Sequence, residues 1–98
     1  MEENTFGQLL QQYRIRAAKS IPAIAIEVGV DRTYVYRLET QSADWLNRPL
    51  EGGHLKHPSR DLVIRLGIAL NLSLDECDEL LLLAGYAPLF PLGKLDKI

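Results

Sequence analysis

The chain of 98 residues holds a single cysteine, Cys77. One thiol cannot close an internal disulfide, so packing alone must hold the fold, nothing implies an oxidising compartment, and the default expectation is a cytoplasmic protein. Apolar runs are short as well. The longest, Leu80 to Ala84, falls far below the roughly 20 residues that span a bilayer. The start, Met1-Glu2-Glu3-Asn4-Thr5, is acidic where a secretory leader is basic, so neither export nor membrane insertion is expected. Catalytic signatures are missing too: the sequence has no glycine-rich phosphate loop, no serine-centred nucleophile elbow and no paired carboxylates in an apolar setting. Cys77 lies among Asp75, Glu76, Asp78 and Glu79, whose charge raises a thiol's pKa and makes it a poor nucleophile. His54, His57 and Cys77 lack the tight pairing of a zinc site. A metal, a cofactor, a small-molecule ligand and an enzymatic role are therefore not expected.

What the chain does have is enough apolar material for one core. Hydrophobic residues make up 47 % and charged residues 24 %, the balance of a folded domain rather than a disordered segment. At this length one domain is expected. The net charge of -2 opposes nucleic-acid binding when taken as a sum, but the charge is unevenly spread. Residues 14–65 carry nine Lys or Arg against six acids, whereas residues 66–98 carry two against five. The basic excess surrounds the middle of the chain.

Five helices are predicted, at about 6–18, 21–28, 32–40, 60–71 and 74–84. Thr5 can cap the first, with Gln8 reaching back, and Phe6, Leu9, Leu10, Tyr13 and Ala17 recur on one face. Ser20 can cap the second, Pro22 is tolerated in its first turn, and Gly29 supplies the left-handed stop. Asp31 is expected to cap a third helix that buries Val35 and Leu38 with help from Tyr34, leaving Arg32, Thr33, Tyr36, Arg37 and Thr40 outward. Leu62, Val63, Leu66, Ala69 and Leu70 mark the inner face of the fourth helix, with Arg60 and Arg65 outside it. Ser73 and Glu76 frame the start of the fifth, whose predicted inner side is Leu74, Cys77, Leu80, Leu81 and Ala84, with Gly85 as its stop.

The stretch Ser20–Thr40 resembles the helix-turn-helix of the phage-repressor and Cro superfamily, also called the xenobiotic-response-element type. The resemblance rests on the small Ala25, Gly29 four residues later, Val30 after it, the inward Val35 and Leu38, and the Arg37-Leu38-Glu39 ending. It implies an all-α, compact five-helix lambda-repressor-like domain over residues 1–98, with a long loop at 41–58 between the third and fourth helices and an apolar tail at 85–98. It also implies a transcription regulator that binds double-stranded DNA with its third helix in the major groove. Arg32, Thr33 and Tyr36 are the expected base contacts; Arg37, Thr40, Arg48, Lys56, Ser59 and Arg60 are expected at the DNA backbone. One departure stands out. Where relatives often carry a phosphate-bracing Gln at the start of the second helix, this chain has Ile21 followed by Pro22.

Residues 41–58 are the least regular part. Trp45, Leu46 and Leu50 suit a small satellite cluster, and Arg48, His54, Lys56 and His57 an extension of the phosphate-contacting surface; equally, the stretch reads as a solvated insertion with Trp45 pinned against the body. Leu82 and Leu83 leave the fifth helix apolar nearly all round, and Leu89, Phe90 and Leu92 prolong that surface into the tail. Either the tail folds back over the body or it meets the same surface of a second copy; of the two, a homodimer through helix 5 and the tail is favoured, because excess apolar surface calls for a partner. The rival reading is a protein-protein interaction module that keeps the helical fold and uses the leucine-rich C-terminal region without reading DNA.

Overall fold

In the computed structural model, which describes residues 5–41 and 56–89, side chains open four of the five helices. Thr5, Ser20, Ser59 and Ser73 lie in extended backbone, and each hydroxyl accepts from the amide three residues on, at Gln8, Ala23, Leu62 and Glu76. These bonds satisfy first-turn amides that have no carbonyl within the helix to pair with. Gln8 and Glu76 return the bond to the cap amide, completing two capping boxes. The helices are α1 (Phe6–Arg16), α2 (Ile21–Val28), α3 (Arg32–Gln41), α4 (Arg60–Ala69) and α5 (Leu74–Leu83). At the start of α3, the Asp31 carbonyl accepts from the amides of Tyr34 and Val35. No strand occurs among the described residues.

The helices end by a shared device. Ala18, Gly29, Asn71 and Gly85 all take positive φ, at 57°, 80°, 61° and 92°. Each reversal lets the next amide reach back five residues: Lys19 to Arg14, Val30 to Ala25, Leu72 to Gly67 and Tyr86 to Leu81. This explains where the observed ends differ from the predicted ones. α1 stops at Arg16 rather than Ala18, and α4 at Ala69 rather than Asn71, because Ala18 and Asn71 are themselves the reversing residues. α5 ends at Leu83 with Ala84 as its cap, and α3 runs one residue further than expected, to Gln41.

α3 packs against α1 and α2, α4 against α2 and α5, and α5 also against α1. Phe6, Leu10, Ile24, Val35, Leu38, Val63, Leu66, Leu80 and Leu81 are fully enclosed where these surfaces meet. Gly67 allows α4 and α5 their close approach, since a Cβ there would lie 2.9 Å from Cys77 Sγ. Leu74, expected on the inner side of α5, is instead exposed as the first residue of that helix.

Polar joints brace the same contacts. Arg14 on α1 donates through Nε and Nη2 to both carboxylate oxygens of Glu39 on α3, and its Nη1 donates to the Lys19 carbonyl. The Glu39 side chain is only 1 % exposed, so this bidentate pair satisfies a charge that burial would otherwise leave stranded. Lys19 Nζ bridges the Glu27 carboxylate and the Ala69 carbonyl, and Arg65 Nη1 donates to the Val28 carbonyl. Cations thus close the C-terminal ends of α2 and α4, where helix carbonyls concentrate partial negative charge.

Candidate nucleic-acid interface

On α3, residues 32, 33, 36, 37 and 40 fall on one stripe by helical spacing. Arg32, Thr33, Tyr36, Arg37 and Thr40 are all exposed there, opposite the buried Val35 and Leu38. Tyr36 is the large apolar element of the stripe and is 53 % exposed. The predicted base-contacting trio, Arg32, Thr33 and Tyr36, therefore shares one solvent-facing surface with Arg37. Thr40 lies on the same surface, but its hydroxyl donates to the Tyr36 carbonyl at 2.8 Å. That bond leaves Thr40 an acceptor, a poor match for a phosphate oxygen.

Beside α3, the segment leading into α4 is held from both sides. Tyr34 donates its hydroxyl proton to the Lys56 carbonyl at 2.7 Å. Burial, reinforced by the charge of Tyr86, pushes the Tyr34 phenol up to about 12, so the donor keeps its proton at any physiological pH. His57 Nε2 donates to the Ala84 carbonyl at 2.8 Å, and Tyr86 donates to the Pro58 carbonyl at 2.7 Å. Pro58 is buried. Lys56 is exposed next to α3, and Arg60 is exposed in the first turn of α4. Ser59 turns its hydroxyl onto the Leu62 amide, which leaves only its O–H proton for an external acceptor. Arg48, with Trp45 and the predicted satellite cluster, lies outside the described residues.

The cations divide into two sets. Arg14, Arg16, Lys19 and Arg65 each pair with a carboxylate, at Glu39, Glu76, Glu27 and Asp61. Among the described residues, the cations outside those ion pairs are Arg32, Arg37, Lys56 and Arg60. Two lie on the α3 stripe, one beside it and one at the start of α4.

α2 has the opposite character. Its sequence, Ile-Pro-Ala-Ile-Ala-Ile-Glu-Val, contains one polar side chain. Ile24, Ala25 and Val28 are buried, Pro22 is exposed, and Ile26 is 81 % exposed. Pro22 and Ile26, one helical turn apart, thus give α2 an exposed uncharged face.

Arg14 with Glu39, and Tyr34 and Tyr86 holding the 56–58 segment, form the supporting set that sequence reading missed. Arg14 sits on the polar side of its own helix pattern, and its partner lies 25 residues away, so no local spacing joins them. Glu39 carried the one usable signal, a charge following the buried Leu38 at the end of α3. The Cys77 thiol pKa is raised, the expected direction, but mainly by burial and, of the four acidic neighbours, by Asp78 alone, with Arg60 opposing. Among the described residues no cluster of three His, Cys, Asp or Glu is placed to hold a metal ion, and no helix is long and apolar enough to cross a membrane.

No family model, no curated protein and no solved structure matches this chain.

Proposed function

We propose that this chain is a sequence-specific DNA-binding regulator of the phage-repressor and Cro type, a lambda-repressor-like domain in which α2 and α3 form the helix-turn-helix and α3 enters the major groove. The observation that carries the reading is the division of the cations. Among the described residues, Arg32, Arg37, Lys56 and Arg60 remain outside carboxylate pairs, two on the α3 stripe, one beside it and one at the start of α4, while four others hold joints. Phosphate neutralisation needs cations that are not already satisfied. Tight helix reversal at Gly29 and the buried Ala25 between α2 and α3 support the same geometry. Arg32, near the N-terminus of α3, is suited to a bidentate guanine contact; Thr33 and Tyr36 offer a hydroxyl and an apolar edge to neighbouring bases. Arg37 and Lys56 take the backbone. The reading needs no cofactor and no catalytic role.

Selection of bound fragments from genomic DNA, followed by titration of the selected duplex, tests this. With about three phosphate contacts, at Arg37, Lys56 and Arg60, affinity should fall roughly fortyfold between about 50 and 200 mM salt. Arg32→Ala should cost about 1–3 kcal/mol at the selected site and relax one base position, whereas Arg37→Ala should weaken all duplexes alike and lower the salt slope by about one. No binding to any duplex at low salt overturns the proposal.

One observation favours the second reading, a protein-interaction module. Ile26 and Pro22 place an apolar, uncharged surface where a phosphate clamp belongs, and such surfaces mark protein contacts. Failure to bind DNA, together with loss of partner binding in Ile26→Asp, would select it.

A further inference from the structure

Residues 56–58 lead into α4, and each of them is tied by its own hydrogen bond to a different place. The Lys56 carbonyl accepts from the Tyr34 hydroxyl on α3 at 2.7 Å. The His57 ring donates to the Ala84 carbonyl at the end of α5, and the Pro58 carbonyl accepts from Tyr86 at 2.7 Å. The segment carrying Tyr86 is itself fastened. Past the reversal at Gly85, the Leu89 amide donates to Asp78 Oδ1 on α5 at 2.7 Å, and Asp78 is buried.

The rings of Tyr34 and Tyr86 already pack against the core, so helix packing does not call on their hydroxyls. What the hydroxyls govern is the course of the backbone around His57. A peptide unit is planar, so a held Lys56 carbonyl holds the plane that contains the Lys56 Cα, and a held Pro58 carbonyl restrains the chain two residues on. Lys56 therefore keeps its place beside α3 before any partner arrives. It is exposed and, among the described residues, is one of the cations outside a carboxylate pair. A cation on a held backbone meets a phosphate without the ordering cost that a loose segment incurs on binding.

We infer that Tyr34 and Tyr86 are positioning residues for DNA binding: their hydroxyls hold Lys56 beside α3 for a backbone phosphate, and the segment after α5 that carries Tyr86 belongs to the DNA-binding unit. This role rests on the DNA reading of α3. It gives the end of α5 a part in binding that the helix, which contains no Lys or Arg, does not supply by its own charge.

Tyr34→Phe and Tyr86→Phe keep both rings and remove only the hydroxyls. Without DNA, Tyr34→Phe should move the carbonyl carbon resonance of Lys56 in NMR spectra, and Tyr86→Phe that of Pro58. On the selected duplex each variant should lose about three- to tenfold in affinity, the factor that corresponds to one hydrogen bond of ordinary net strength. Lys56→Gln should weaken all duplexes and lower the salt slope by about one. In the Lys56→Gln background the two Phe substitutions should change affinity by less than about twofold, because the group they position is gone, whereas independent effects would multiply in full. Losses that persist undiminished in that background overturn the inference, since they report a general weakening of the fold. So do Phe variants that bind as the parent does, carbonyl resonances that do not move, or a Lys56→Gln variant as tight as the parent. A parent that binds no duplex removes the DNA reading and the positioning role with it; carbonyl resonances that still move in the Phe variants then place the failure in the DNA reading and not in the hydrogen bonds.

Discussion

Helix ends show at residue scale how one position departs from its intrinsic preference. Gly29 and Gly85 adopt positive φ with no Cβ to clash, and Asn71 is among the few other residues that visit this region readily. Ala18 has neither advantage, and at φ 57° it carries a steric cost of about 1 kcal/mol. It is held there by the Lys19 amide reaching the Arg14 carbonyl and by Arg14 Nη1 on the Lys19 carbonyl. Ala18 is exposed, so glycine at this site loses no packing. Ala18→Gly should therefore raise stability by about 0.5–1 kcal/mol, despite glycine's greater freedom in the unfolded chain. A lowered thermal midpoint would show that the alanine backbone is not strained. The same residue explains why the first helix was predicted two residues too long. An alanine that reverses the chain looks, in sequence, like an alanine that continues it, whereas Gly29 and Gly85 announce themselves.

Between elements, the joints divide into those that local spacing predicts and those that it does not. Capping boxes at Thr5 and Ser73 and the buried stripes of α1, α3 and α4 were legible, because each depends on residues within two turns. The Arg14–Glu39 joint was not, because its members are on different helices and each looks like surface on its own. Removing the acid exposes how much rests on the pair. Glu39→Ala leaves the Arg14 guanidinium half-enclosed between α1 and α3 without its main acceptor, and should cost about 3–5 kcal/mol in urea unfolding, the usual penalty for an orphaned buried charge. A loss under 1 kcal/mol would mean that water reaches Arg14 freely.

Gly67 and Cys77 offer a sharper test of helix approach. Alanine in a helix interior is ordinarily better than glycine by about 1 kcal/mol. Here its Cβ would meet Cys77 Sγ at 2.9 Å, and overpacking of this kind costs about 1–3 kcal/mol. Gly67→Ala should destabilise the chain. In a Cys77→Ala background the sulfur is gone and the remaining Cβ contact is an ordinary 3.5 Å, so the same substitution should turn neutral or stabilising. A sign that does not change between the two backgrounds would remove the sulfur contact as the reason for glycine.

At the scale of the whole molecule, the ion pairs among the described residues use none of the exposed α3 stripe residues, and one of them gives a response to acid. Arg16 links the end of α1 to the start of α5 through two hydrogen bonds to Glu76, at 2.7 and 2.9 Å. That guanidinium, aided by the Ser73 amide, holds the Glu76 carboxyl down from 4.5 to about 2. A carboxylate with a depressed folded-state pKa adds stability that is complete above its unfolded value. The contribution is lost as pH falls from about 4.5 through about 2, because the unfolded chain takes up the proton first. The urea midpoint should accordingly drop across this window. Arg16→Ala should lower the midpoint at neutral pH and flatten the acid limb, while the Ser73 amide retains part of the effect. If the acid limb of Arg16→Ala kept the slope of the parent, the link between α1 and α5 would not be what protects Glu76. Surface exposure makes the pair sensitive to salt, so the difference between the two proteins should also shrink in concentrated chloride. Among the described residues Arg32 and Arg37 have no carboxylate partner to lose on acidification, so if the proposed DNA binding holds, affinity per folded chain should stay steady down to the pH at which unfolding begins.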